Sequence, residues 1–537
     1  MPDRDGRADA RNRPAHPGRG HAAPTGPSPA AGRRLAEERG RGAAVLGRWG
    51  SRALAALTGA CLALAFPPVG AWWWAWTGLV PLLILSARAG TFREAAWRGW
   101  FAAAGFFAVL QHWVLPSLGV FAPPAVALVG LVWMPFGLVA YAFLRRPTPA
   151  RLLAAAAVLP SVWVAVEALR SWRHLGGTWG LLGVSQWQTW PVLAVAALGG
   201  VWLLSFLLVA ANVGLTAVVL PAALRTRLVG GGVALVLIAA AVGYGLTRPP
   251  PAVTGTMRVG GVQAGFAPGA ERRLADHLAM TAELAGHAPD VVVWGQSSVA
   301  LDPTRRPRAE RALRRAAAAT GGDLLVNVDA ADPSGRITKA AYHYTADGLA
   351  GRYVKRRLVP FGEYVPLRPL LGRLGDHTGA AERDRATGDA PAVFEISGRR
   401  VGPLVSYEST FPDLRRELAR MGADITIVQG SLATFHGSWA QPQQASFEAV
   451  RAVETGRPAV LVQISGVSAA FDARGGRLAW VPAGYRGVFV ADVPLSREAT
   501  PYVRLGEWVP VMAGGIVLVA AGAFAVRRRD AGSVTDS

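Results

Sequence analysis

The feature that most limits what this chain can fold into is its series of long apolar runs. Seven follow one another at roughly 51–66, 70–88, 99–118, 122–144, 150–170, 191–220 and 228–247, and another lies at 508–526. A helix needs roughly 17 to 25 apolar residues to cross a bilayer, and most of the runs have them, the first being short. Hydrophobic residues make up 51% of the chain, high for a wholly soluble protein. The predicted class is a polytopic α-helical membrane protein with about eight transmembrane helices.

The connections carry a directional signal. Arg88, Arg93 and Arg98 follow the second run, Arg145, Arg146 and Arg151 the fourth, and Arg225 and Arg227 the sixth. The alternate connections "PPVGA" and "PSLGVFAPP" carry no charge, and only Arg170 and Arg173 break the alternation. Positive charge marks the cytoplasmic side. The net charge of +21 is therefore read as membrane topology and not as a nucleic-acid surface. The expected organisation is a disordered basic cytoplasmic tail over 1–48 and a seven-helix membrane domain over 49–248. An extracytoplasmic α/β domain follows over 256–495, then a last helix at 508–526 and a cytoplasmic tail at 527–537.

Within 256–495, β-branched runs alternate with helical stretches. "MRVGGVQAG", "DVVVW", "DLLVNVDA", "RRVGPLVS", "DITIVQ" and "PAVLVQIS" read as strands, and 270–286, 306–319, 412–421 and 440–456 as helices. That alternation predicts a layered α/β fold. The single cysteine, Cys61, sits in an apolar run and excludes internal disulfides and cysteine-rich metal sites. Glu167 lies within the fifth run, where a carboxylate is either functional or a structural anchor near the boundary. Only two lysines occur, Lys339 and Lys355, against a background of arginine.

Three strand ends carry polar residues beside turns: Gln296 in "VVVWGQSS", Lys355 and Glu363 in "GRYVKRRLVPFGEYVPL", and Ser406 in "GPLVSYEST". α/β folds assemble sites at such places. Together, and in this order, they resemble the carbon–nitrogen hydrolase (nitrilase) superfamily. With the apolar runs around them, the resemblance is to the apolipoprotein N-acyltransferase family. It spans about 50–526, and "ASFEAVRAVETGRPAVLVQISGVSAAFDARG" (445–475) supports it.

The resemblance implies an α-β-β-α sandwich and a bacterial cell-membrane location. It also implies acyl transfer from a phospholipid, through a thioester, to the α-amino group of an apolipoprotein's diacylglyceryl-cysteine. It requires no cofactor or metal. Lys355 matches the lysine that stabilises the oxyanion, with the Tyr407 backbone N–H as second donor, and Glu363 the additional glutamate of the lysine motif. Tyr407 and Glu408 match the pair after the nucleophile. Two positions depart: the general-base glutamate is Gln296, preceded by Gly295 where the family has proline, and the nucleophilic cysteine is Ser406. A further polar position aligns with Ile464.

A serine needs a general base where a thiol readily yields thiolate, and Gln296 is neutral. Three readings stay open. Lys355 serves as base in a serine–lysine pair; another carboxylate such as Glu408 supports residual family chemistry; or the chain is an inactive paralogue that binds lipoprotein or phospholipid or assists an active relative.

Overall fold

The computed structural model describes residues 47–533 except 174, 176, 333 and 370–383. The expected unstructured tail falls outside the described residues, save residues 47 and 48, which already belong to a helix running to 62.

Among the described residues, five helical stretches are long and apolar enough to cross a membrane: His112–Leu144, Pro149–Arg170, Val192–Val219, Leu224–Thr247 and Trp508–Arg527. Four of them fall close to expected runs. The second run, 70–88, forms a short 3-10 turn at Trp72–Trp76 and then the helix Val80–Ala87. Pro67, Pro68 and Gly70 precede that turn and delay regular helix, since proline supplies no backbone donor. The third run is displaced, its helix spanning Phe92–Leu110. The long stretches turn large apolar side chains outward, Leu128, Leu228, Leu235 and Leu518 among them. Water would disfavour that surface and hydrocarbon would not.

Small residues let these helices approach. A Cβ on Gly99 would lie 2.3 Å from Trp133 O, and one on Gly137 2.3 Å from Ala95 O. The two backbones touch there, the packing that stands in for hydrophobic burial inside lipid.

The α/β domain holds two six-stranded mixed sheets. The first comprises β1 (Gly255–Gln263), β2 (Val291–Trp294), β3 (Asp323–Ala331), β4 (Ile337–Thr345), β5 (Gly348–Val354) and β12 (Gly487–Leu495). Its order is β12-β1-β2-β3-β4-β5. The second comprises β6 (Phe394–Ile396), β7 (Arg399–Val405), β8 (Ile425–Gly430), β9 (Ala459–Gln463), β10 (Ser468–Phe471) and β11 (Arg477–Val481), in the order β11-β10-β9-β8-β7-β6. β1, β2 and β3 run parallel, as do β7, β8 and β9, with antiparallel strands at the edges.

Side-chain alternation stacks the layers. In β2, Val291 and Val293 join the core shared with the second sheet, while Val292 and Trp294 join the core shared with Leu313 and Ala317 of the helix Pro307–Thr320. Period two thus puts a sheet on one face and a helix on the other. The parallel strands, covered on both faces, are buried throughout β2, β8 and β9.

The helix Ala440–Thr455 is buried along nearly its whole length, because it packs both on the second sheet and on the apolar helix Val192–Val219. Its polar residues satisfy both sides. Gln443 Nε2 donates to Pro67 O at 3.1 Å and its Oε1 accepts from Trp179 Nε1 at 2.7 Å. Glu454 Oε1 accepts from Val201 N at 2.7 Å. That N–H is available because Val192–Val219 breaks at Gly199 and Gly200, where Gly200 has φ +70°.

Gly137→Val should force the two touching helices apart. Overpacking of this kind costs about 1–3 kcal/mol, so the detergent-solubilised protein should unfold at a lower temperature, with Gly137→Ala between it and the native chain. An unchanged midpoint for the valine variant would show that the crossing is not close.

Candidate active site

The site begins with backbone strain. Ser406 follows β7 directly and has φ +53°, a left-handed conformation uncommon for serine. It opens the 3-10 turn Ser406–Thr410 and is only 7% exposed. Such strain persists where surrounding contacts over-determine it, and here the contact is Glu408. Glu408 Oε2 accepts from Val405 N at 2.9 Å, across the strained residue. Its Oε1 accepts from the Tyr353 hydroxyl at 2.9 Å, Arg356 N at 2.7 Å and Arg357 N at 3.0 Å. One carboxylate thereby ties the Ser406 turn to the segment that carries Lys355. Burial raises its pKa, against the opposing pull of Lys355 and the backbone donors.

Lys355 sits just past β5 and is fully buried. Its Nζ donates to both Glu363 oxygens, at 3.0 and 2.8 Å, and Glu363 Oε2 also accepts from Val359 N at 2.9 Å. Burial alone would raise the Glu363 pKa, but the charges of Lys355 and Lys339 and the hydrogen bond from Lys355 hold it below its ordinary value of 4.5. The two residues of the lysine motif are thus in direct contact.

Gln296 lies two residues past β2. Its backbone N–H donates to Gly430 O at 2.9 Å, the same carbonyl that accepts from Ile464 N at 2.9 Å. Its Oε1 is buried and accepts no hydrogen bond among the described residues. Gly295 explains the missing proline: a Cβ there would lie 2.0 Å from Ile464 N, so the β2 end presses directly on the backbone after β9. Ile464 itself is fully buried and apolar, so the polar position expected there is empty of polar chemistry.

Lys339 escaped the motif reading. Its Nζ donates to Ser297 Oγ at 2.5 Å and to Asp329 Oδ1 and Oδ2 at 3.0 and 2.9 Å. Its backbone carbonyl accepts from Lys355 N at 2.8 Å. Ser297, beside Gln296, also has positive φ, at +61°. Lys339 therefore bridges the Gln296 turn to the Lys355 strand. The one signal available was that both lysines of an arginine-rich chain lie here.

Two other candidates behave differently. Tyr407 packs edge-on against Phe411 at 5.1 Å and its phenol hydrogen-bonds Thr178, with burial raising its pKa. It faces the segment after a membrane-capable helix instead of the ionised pairs. Glu167 is a clasp, its Oε1 accepting from Trp163 Nε1 at 2.9 Å and Leu182 N at 2.7 Å.

Removing one partner of the buried Lys355–Glu363 pair leaves an uncompensated charge, a loss of about 3–5 kcal/mol. Glu363→Gln should lower the unfolding midpoint accordingly at neutral pH. Since the folded pKa of Glu363 is depressed, its contribution is complete above the ordinary glutamate value of 4.5 and vanishes as pH falls through the lower folded value. The difference between native and variant midpoints should therefore close only in acid below that range. A constant difference across pH would contradict the pairing.

With the geometry in place, comparison with known proteins is direct. Residues 58–214 match the family model for the apolipoprotein N-acyltransferase N-terminal domain, and residues 307–500 match the carbon-nitrogen hydrolase model. Lys355, Glu363 and Ser406–Glu408 fall inside the second match and Gln296 just before it. Apolipoprotein N-acyltransferase of Azotobacter vinelandii is 30% identical over 506 residues, covering 90% of this chain and 96% of that protein. Its counterpart in Pseudomonas syringae pv. tomato is 28% identical over 491 residues, 86% of this chain and 94% of that one. The Geobacter metallireducens protein is 28% identical over 500 residues, covering 88% and 95%. The similarity runs through both the apolar helices and the α/β domain, and on that evidence the chain belongs to the apolipoprotein N-acyltransferase family.

Proposed function

We propose that this chain holds the two substrates of lipoprotein N-acylation, a membrane phospholipid and the N-terminal diacylglyceryl-cysteine of an apolipoprotein, and that its own residues suppress the transfer step. The supporting observation is the state of the groups that would have to deprotonate Ser406. Lys355 donates to both oxygens of Glu363, which commits its Nζ to that carboxylate. Glu408 already accepts four hydrogen bonds. Gln296 is an amide. A serine nucleophile needs a positioned base in the transition state, whereas a thiol with a pKa of about 8.5 needs far less help. An oxygen ester on Ser406 would also acylate an amine more slowly than a thioester.

What remains intact is the apparatus around the reacting atoms. Lys355 and the Tyr407 backbone N–H are the donors for a developing oxyanion, electrostatic stabilisation that works without a proton transfer. Glu363 holds the lysine in place through both carboxylate oxygens. Both substrates are anchored in a bilayer, so a site joined rigidly to membrane helices raises their effective concentration.

The arginine clusters support a multi-pass arrangement in a bacterial cell membrane. It has eight crossings, basic termini in the cytoplasm and the α/β domain outside. A paralogue carrying glutamate and cysteine at positions 296 and 406 is the partner class this reading calls for.

Two measurements test these statements. With a phospholipid and a diacylated lipopeptide, Ser406→Cys/Gln296→Glu should N-acylate the lipopeptide at least ~100-fold faster than the native chain, the lower end of what a general base supplies. Native activity equal to the double variant would overturn suppression. A reporter fused at residue 260 should read as extracytoplasmic, and cytoplasmic activity would reverse the topology.

A further inference from the structure

Beside the lysine segment lies a cavity of about 380 Å³ whose wall includes Arg173, Arg356, Arg357, Tyr364, Thr387 and Asp389. Three guanidinium groups against one carboxylate is an unusual lining for a recess of this size, which falls within the range of ligand pockets. It adjoins the candidate site: Arg356 and Arg357 follow Lys355 directly, and Gly388 N, on the cavity wall, donates to Lys355 O at 2.9 Å.

Arg356 and Arg357 are held but not saturated. Arg356 Nη1 donates to Glu417 at 2.6 Å and Arg357 Nη2 to Asp413 at 2.5 Å, and the Arg357 guanidinium lies 5.1 Å from the Phe411 ring centre. Neither carboxylate belongs to the cavity wall. Each arginine thus spends one terminal nitrogen on a carboxylate among the described residues, and a guanidinium offers five N–H donors. Planar forks with spare donors suit the tetrahedral oxygens of a phosphate.

The third arginine says where the phosphate comes from. Arg173 lies three residues beyond the membrane-capable helix Pro149–Arg170. It is flanked by large apolar side chains turned outward: Leu169 is 66% exposed, Trp172 57% and Leu175 56%. Phe361 and Leu367, near Tyr364, are also exposed. An anion site whose arginine and tyrosine segments also carry exposed apolar residues, one a tryptophan, suits a phosphate attached to acyl chains at a membrane interface.

We propose that this cavity seats the phosphate of a membrane glycerophospholipid, which places the lipid's ester bond on the Lys355 side of the wall. The assignment rests on the donor substrate named above, yet it needs no acyl transfer to be tested. Full-length protein in detergent is offered phosphatidylglycerol or a diacylglycerol with the same chains, and retained lipid is measured by native mass spectrometry. Arg356→Gln/Arg357→Gln is compared with Glu417→Gln/Asp413→Asn, which breaks the same ion pairs and keeps both guanidinium groups. The native chain should retain phosphatidylglycerol over diacylglycerol. The arginine variant should lose that retention roughly ten-fold, the effect of removing charge-assisted hydrogen bonds, and the carboxylate variant should keep it.

Equal retention in the arginine variant, or equal loss in both variants, overturns the proposal, the second by showing that only the ion pairs matter. Millimolar inorganic phosphate or glycerol phosphate should not displace the lipid. Displacement would make the cavity a site for free anions instead. If lipid is retained as expected while no variant transfers an acyl chain, the headgroup site stands and the reading of the reaction fails separately.

Discussion

One buried carboxylate, Glu408, organises the candidate site. Its four hydrogen bonds join the end of β7, the Tyr353 hydroxyl and the two backbone amides after Lys355. Without that acceptor, Val405 N, Arg356 N and Arg357 N would be left unpaired, and an unpaired buried donor costs about 1–3 kcal/mol each. The clamp also spans Ser406, and so maintains its φ of +53°. Three of those bonds fall on Oε1 and one on Oε2, so Glu408 holds the site together.

The same logic of committed polar groups couples the α/β domain to the apolar helices. Gln443 and Glu454, on a helix buried from both sides, answer the Pro67 carbonyl, the Trp179 indole and the Val201 amide, the last in the membrane-capable stretch Val192–Val219. Thr178 Oγ1 lies 2.6 Å from Thr410 Oγ1, four residues beyond Ser406. The Trp187 and Trp480 rings stack at 5.5 Å between centres. Hydrogen bonds among buried partners fix relative position more sharply than apolar contact, which tolerates sliding. The Ser406 turn is thereby held at a set place relative to helices whose outer faces are apolar.

Much of this was legible because the physics involved is local. Apolar runs, parallel-strand runs without alternation and the helix Pro307–Thr320 follow from period and composition alone. The antiparallel strands β4, β5, β11 and β12 are mixed in character and formed no clear run. The helix at Val80–Ala87 is shorter than its apolar run because Pro67, Pro68 and Gly70 act before it. At the site, Lys355, Glu363 and Ser406 were legible by motif, and the structure brings the first two into contact. Lys339 was not, because its role depends on a pairing of β3 and β4 that places Asp329 opposite it, a relation between distant residues. Gly295 reads in the sequence as a departure, and only the approach of the Ile464 backbone supplies its reason.

The chain has its family's scaffold, with the Lys355–Glu363 pair in contact and with glutamine at 296 and serine at 406. In the function proposed above, Gln296 and Ser406 both bear on one step, formation of the acyl-enzyme bond. The most direct measurement is the intact mass of the native chain after incubation with phospholipid, with peptide mapping of Ser406. Suppression at that step requires that no acyl adduct accumulate there. An acyl group on Ser406, absent from Ser406→Ala, would contradict it and show that this serine is activated by a base the present geometry does not supply.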